Sequence, residues 1–189
     1  MPNTFFTSDT HFFHESIIEY SNRPFVDVDH MNEGLIHNWN TVVGEEDTVF
    51  HLGDVSFGNR TMTEAVLNRL NGHLFMVKGN HDRKVYSRFE WVKDYYEHQF
   101  PNPLKPGELV PFVLFHFPIA QWHRKHYGAI HIHGHCHGSF PVNLSEKRFD
   151  VGTDVWKYAP ISLLDIIRHS ANFGIPGTDH HGNEVSTLA

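Results

Sequence analysis

Strand-like and helix-like hydrophobic periods alternate along the first eighty residues. Thr4-Phe5-Phe6-Thr7-Ser8 reads as a first strand ended by Asp9, and Thr48-Val49-Phe50-His51-Leu52 and His73-Leu74-Phe75-Met76-Val77 read as a second and a third. Between the first two, a loop or short helix covers His14 to Asn22. Behind Asp29, a type that caps helix N-termini, Met31, Leu35, Trp39 and Val42 recur at helical spacing. Between the second and third strands, Thr61 and Glu64 stand at capping-box spacing ahead of Met62, Val66 and Leu70. Strand-helix-strand repeats imply parallel pairing through right-handed crossovers.

After residue 90 the pattern turns β-rich. Trp91 to Phe100 and Leu109 to Phe115 flank a segment with Pro101, Pro103, Pro106 and Gly107, which predicts a hairpin with a long connection. Ala129 to His133 and Arg148 to Val151 are further strands, and Ser162 to His169 is a closing helix. From Asn172 the chain is polar and aperiodic. The expected organisation is one domain over residues 1–171 and a loosely held tail over 172–189. The residues by themselves give the class α/β.

Composition narrows the partners. With 40% hydrophobic residues in 189, the chain can bury a substantial single core. Lys and Arg total 15 against 22 Asp and Glu, with no basic stripe, which argues against long nucleic acid as a partner. No apolar run approaches the roughly 20 residues of a membrane helix, so no membrane partner is expected and substrate arrives from solution. The lone Cys136 makes no internal disulfide and the first residues lack a leader pattern, so the expected location is cytoplasmic. Eighteen histidines are many, and most are expected to be ordinary surface or packing residues.

Five motifs each follow a strand-like run: Asp9-Thr10-His11, Gly53-Asp54, Gly79-Asn80-His81-Asp82, His116 before Phe117-Pro118, and Gly134-His135-Cys136-His137. Ligands at strand ends gather where an α/β fold builds its site. In an extended strand, residues two apart point the same way, so Asp9 and His11 converge, as do His135 and His137. Carboxylate oxygen with imidazole nitrogen suits Zn, Mn, Fe or Ni rather than calcium. Asp54, at a tight strand exit, is the candidate bridge between two ions, Asn80 offers a neutral amide oxygen, and His116, His135 and His137 complete the shells. A water between two ions has its pKa lowered toward roughly 7 and attacks phosphorus in line. His81, next to a ligand but not needed as one, is the candidate general acid, and Asp82 the candidate holder of its tautomer. His14 and Arg23, in the loop after the first motif, are candidate phosphate-binding residues; the competing reading is a helix-N-terminal histidine and a loop salt bridge. His131, His133 and Cys136 are expected to be structural.

On these motifs the chain resembles the calcineurin-like metallophosphoesterases, and the resemblance extends to Phe149-Asp150-Val151-Gly152. It is closest to small single-domain bacterial and phage-type members, through Asp9-Thr10-His11-Phe12 and Arg23-Pro24-Phe25. The resemblance implies two mixed β-sheets packed as a sandwich with flanking helices. It implies one divalent ion on Asp9, His11, Asp54 and His137, a second on Asp54, Asn80, His116 and His135, and His81 as catalytic histidine. Phe117 stands where the family commonly has tyrosine, and the insertions that form caps in larger relatives are absent.

The leading expectation is metal-dependent hydrolysis of a small phosphate ester, with a phosphodiester such as a nucleotide or cyclic nucleotide favoured over a monoester on a phosphorylated metabolite. A catalytically weak member serving as a protein-binding scaffold predicts lost ligands, and none is lost. A metallo-β-lactamase-type site needs an Asp-His pair after its alternating histidines, and residues 131–137 hold no aspartate. One cysteine excludes a zinc finger.

Overall fold

A computed structural model describes residues 2–84, 86–179, 181 and 184. Among the described residues, nine strands and four α-helices follow in the order β1 (Thr4–Thr7), α1 (Ser16–Tyr20), α2 (Val28–Val42), β2 (Thr48–His51), α3 (Arg60–Leu67), β3 (His73–Val77), β4 (Phe89–Lys93), β5 (Tyr96–Pro101), β6 (Leu109–Leu114), β7 (Ile130–His133), β8 (Arg148–Asp150), β9 (Ile161–Ser162) and α4 (Leu163–Ser170).

The strands form two mixed sheets. In the first, β4-β3-β2-β1 are parallel and β9 joins β1 antiparallel. In the second, β5 pairs antiparallel with β6, while β6, β7 and β8 run parallel. Period-two alternation sends each strand's side chains to two different layers. Phe6, Phe50 and Val77 face inward against Phe112, Ile130 and Ile132 of the other sheet, forming the sandwich core. Phe5, Val49 and Leu74 face outward into a second core closed by Met31, Leu35 and Trp39 of α2 and by Val66 and Leu67 of α3. Phe6 organises the inner layer: its ring stacks on Phe50 at 5.6 Å and Phe112 at 5.7 Å and meets Phe100 edge-on at 5.4 Å.

Several elements differ from the sequence reading. The run Trp91 to Phe100 is two strands in two sheets: β4 extends the first sheet, the chain turns at Asp94 and Tyr95, and only β5 makes the expected hairpin with β6. The caps sit two residues earlier than expected. Asp27 accepts from the His30 N–H and Asn59 from the Met62 N–H, so neither Asp29 nor Thr61 is the cap. Strand β9 has two residues, too few for a periodic signal. In the segment expected to be loose, Phe173 packs edge-on against Phe149 at 4.7 Å within the sandwich core. Among the described residues, no helix is long and apolar enough to cross a membrane.

Candidate metal centre

The parallel strands of both sheets end at one rim. Asp9 and His11 follow β1, Asp54 follows β2, Asn80 and His81 follow β3, His116 follows β6, and His135 and His137 follow β7. Main-chain bonds stitch these loops across the sheets: Asp9 N–H to Gly53 O at 2.9 Å, His11 N–H to Asp54 O at 3.1 Å, Gly134 N–H to His116 O at 2.9 Å and Thr153 N–H to Ser8 O at 2.9 Å.

The backbone here is unusual. Asp9, His11, Asp54, His135 and His137 have φ values of 55°, 49°, 56°, 69° and 48°. The left-handed region is disfavoured for residues with a Cβ, at a cost of about 1–2 kcal/mol each, and such strain collects at functional sites. Asp9 with His11, and His135 with His137, therefore converge through left-handed turns; the extended-strand geometry expected from their spacing is not what brings them together. Two glycines allow the β2 and β3 loops to interlock. A Cβ on Gly53 would strike the backbone of Gly79, and a Cβ on Gly79 would strike the Asp54 carboxylate.

Two triads result. Asp9, His11 and His137 form one, and Asp54, His116 and His135 the other; within each, one ligand atom per residue lies within 4.8 Å of the others. Asp54 Oδ2 faces both, at 3.8 Å from His11 Nε2 and 3.4 Å from His116 Nε2. Asn80 Oδ1 is 3.0 Å from His116 Nε2 and so borders the second triad. Asp9 Oδ1 and His11 Nε2 are buried and have no hydrogen-bond partner. Leaving such atoms unsatisfied costs on the order of 1–3 kcal/mol apiece, which a cation between them would remove. Imidazole nitrogens, carboxylate oxygens and an amide oxygen form a donor set suited to Zn, Mn, Fe or Ni, so the residues fit two divalent ions.

The far sides of these ligands are held. His116 Nδ1 donates to Leu52 O at 2.7 Å and His137 Nδ1 to Asp154 Oδ2 at 2.6 Å, leaving each Nε2 lone pair turned to the centre. His11 Nδ1 lies 3.0 Å from His14 Nδ1, and donation from His11 gives it the same tautomer. The second oxygens of the aspartates are occupied: Asp9 Oδ2 accepts from His135 N–H and Asp54 Oδ1 from His81 N–H, both at 2.9 Å.

Electrostatics keep the carboxylates ionised. Burial would raise Asp54, but the His116 imidazole and the His81 N–H hold it down at about 2. Asp9 is likewise lowered against its burial by His11, His116 and His137. Burial pushes His11 and His135 below the ordinary imidazole value and so favours the neutral, ligating form.

A family model described as calcineurin-like phosphoesterase matches residues 3–187. The chain belongs to the calcineurin-like phosphoesterase family. It is 37% identical over 175 residues to an uncharacterized protein of Methanocaldococcus jannaschii, covering 89% of this chain and 91% of that protein. It is 33% identical over 198 residues to the Gene 66 protein of Mycobacterium phage D29, covering 91% and 97%. A crystal structure of a protein of unknown function from Aquifex aeolicus superposes with a TM-score of 0.64 at 23% identity, covering 89% of this chain and all of that one, a likeness in fold.

Within this family member, the candidates from the sequence fall differently. The seven ligand candidates Asp9, His11, Asp54, Asn80, His116, His135 and His137 come together. His81 stands at their edge, its side chain 48% exposed, with Nε2 4.0 Å from Asp54 Oδ2. Arg23 does not face the cleft. Its side chain is fully buried, and its five N–H groups meet both carboxylate oxygens of Asp154, the carbonyls of Asp9 and Thr10, and Met31 Sδ. With every donor engaged, it braces the Asp9 loop and has none left for a phosphate. Asp82 does not hold the His81 ring. Its Oδ2 accepts from the N–H groups of Asp54 and Gly79 at 2.6 and 2.8 Å, and its Oδ1 from Val55 at 3.1 Å, so it ties the β2 loop to the β3 loop. His14 stacks on Phe57, with ring centroids 3.9 Å apart, and burial among neighbouring imidazoles and Arg23 brings it down to about 4. Its Nδ1 faces His11, so it supports a ligand.

Two residues escaped the sequence reading. Asp154 orients His137 and neutralises Arg23. Its one available signal was its place just after a strand, β8, that ends at the same rim as the ligand motifs. Phe57 lies against His11, His14 and His81 at 5.2, 3.9 and 4.8 Å, and an aromatic in a Ser-Phe-Gly loop carries no signal of that role.

Proposed function

We propose that this phosphoesterase hydrolyses a phosphodiester of modest size, a nucleotide or cyclic nucleotide in preference to a monoester, using two divalent ions. One ion would be held by Asp9, His11, Asp54 and His137, the other by Asp54, Asn80, His116 and His135. When bound, such ions polarise the phosphoryl oxygens and supply a water acidified to about neutral pH. The observation that carries this reading is the unpartnered, buried pair Asp9 Oδ1 and His11 Nε2, facing an Asp54 oxygen shared with the His116 group.

The chain's own residues supply the rest. Asp54 and Asp9 keep fixed orientations because their second oxygens are pinned by main-chain N–H groups. His81 is exposed and free to meet a departing oxygen, to which Nε2 would deliver a proton. Phe57 packs on the His81 ring and limits its swing. The test is hydrolysis of an aryl phosphodiester, an aryl phosphomonoester and a nucleotide panel by the purified chain, with Mn, Ni and Zn in turn. Diester turnover that depends on added metal supports the proposal; preference for the monoester, or turnover unaffected by chelation, overturns it.

A further inference from the structure

Beside the metal centre, the β2 and β3 loops enclose a cavity of about 270 Å³. Ser56, Phe57 and Gly58 form one wall, and His81 through Lys84 with Tyr86 form the other. His81 belongs to both the cavity and the rim of the metal centre, since its Nε2 lies 4.0 Å from Asp54 Oδ2. A group that takes a proton from His81 must therefore enter, or border, this space.

The charge of the cavity opposes that of the molecule. The chain carries a net −7, and five arginines elsewhere in the described chain meet carboxylates. Arg83 and Lys84 are exposed, and among the described residues neither side chain meets an acid. The one carboxylate in the lining, Asp82, is spent on three main-chain N–H groups. Two unpaired cations thus line the same space as His81, with room for a nucleotide-sized group, beside the exposed ring of Phe57. Unsatisfied guanidinium and ammonium groups facing a cleft suit phosphate oxygens.

Resting on the reading of the site as a phosphodiesterase with His81 as acid, we propose that this cavity receives the leaving group, and that Arg83 and Lys84 bind a second phosphate carried on it. The preferred substrate is then a small phosphodiester whose departing alcohol bears a phosphate monoester. In the reaction a water gives up one proton to solvent as its oxygen forms a bond to phosphorus, the bond from phosphorus to the ester oxygen breaks, and solvent afterwards restores the proton that His81 donates. The electron pair stays on that oxygen, which takes a proton from His81, while the terminal phosphate on the departing group stays against the two cations.

The experiment compares dithymidine monophosphate with and without a terminal phosphate, in the wild-type chain and in the double variant Arg83→Gln, Lys84→Gln, with bis(p-nitrophenyl) phosphate as a general diester. The wild type is expected to favour the terminally phosphorylated dinucleotide by roughly tenfold or more in kcat/KM, mostly through KM, and the double variant to bring that ratio close to one. A wild-type ratio near one, a ratio that survives in the variant, or no turnover of either dinucleotide while the aryl diester is cleaved overturns the proposal and leaves the phosphodiesterase reading standing. If the aryl diester is not cleaved with any metal, that reading fails and takes this one with it.

Discussion

Asp154→Ala removes the one carboxylate that faces the buried Arg23. In the intact chain the guanidinium, fully shielded from solvent, rests on two Asp154 oxygens at 2.8 and 2.9 Å and on the carbonyls of Asp9 and Thr10. Without Asp154 the charge remains buried with only carbonyls to face it, and breaking such a pair costs about 3–5 kcal/mol. The same substitution takes the acceptor from His137 Nδ1, and loss of such an outer partner typically weakens metal affinity by roughly 10–100-fold. Urea denaturation of the metal-depleted protein reads the first effect, and calorimetric metal titration reads the second. A cycle with Arg23→Met separates charge from packing: the double variant should lose at least about 1 kcal/mol less than the sum of the singles. A loss below about 1 kcal/mol for Asp154→Ala, or an additive cycle, would refute the reasoning.

Three further outcomes are expected. Replacing His81 with Ala should leave metal content nearly intact while lowering the rate by roughly two to four orders of magnitude on a poor leaving group; loss of metal in elemental analysis would make it a ligand instead. Asp54→Ala should abolish metal-dependent cleavage of an aryl phosphodiester, and wild-type-like turnover contradicts its place between the two triads. Burial, helped by His133, brings His131 down to about 3 from its ordinary 6.5. Below 6.5 the unfolded chain therefore binds a proton that the folded chain refuses, so this contribution is full above 6.5 and falls away as pH drops toward 3, by up to about 1.4 kcal/mol per pH unit. His131→Gln should flatten the stability loss between about pH 6.5 and 4.5 by about 2 kcal/mol in urea titrations, and an unchanged slope counts against it.

The gathering of the seven candidate ligands was legible because metal-binding residue types repeat after apolar runs, and the parallel strands carry those runs to one rim. How the ligands converge was not. Spacing by two suggested extended geometry for Asp9 and His11, whereas both residues turn left-handed, a choice imposed by neighbouring loops that local pattern does not encode. Read along the chain, Arg23 looks like a phosphate-binding group and Asp82 like the holder of the His81 ring. Their partners, Asp154 lying 131 positions away and the main chain of the β2 loop lying 27 and 28 positions away, exist only in the folded molecule. The split of Trp91 to Phe100 between two sheets was hidden for a related reason: a two-residue turn leaves the apolar pattern unbroken while the hydrogen-bonding partners change completely.

The most direct measurement is anomalous diffraction from crystals grown with manganese or zinc. Two peaks about 3.5–4 Å apart are expected, flanking Asp54 Oδ2, with Asp9, His11 and His137 around one and Asn80, His116 and His135 around the other. Density for no ion, or for ions bound away from these side chains, would contradict the dinuclear centre.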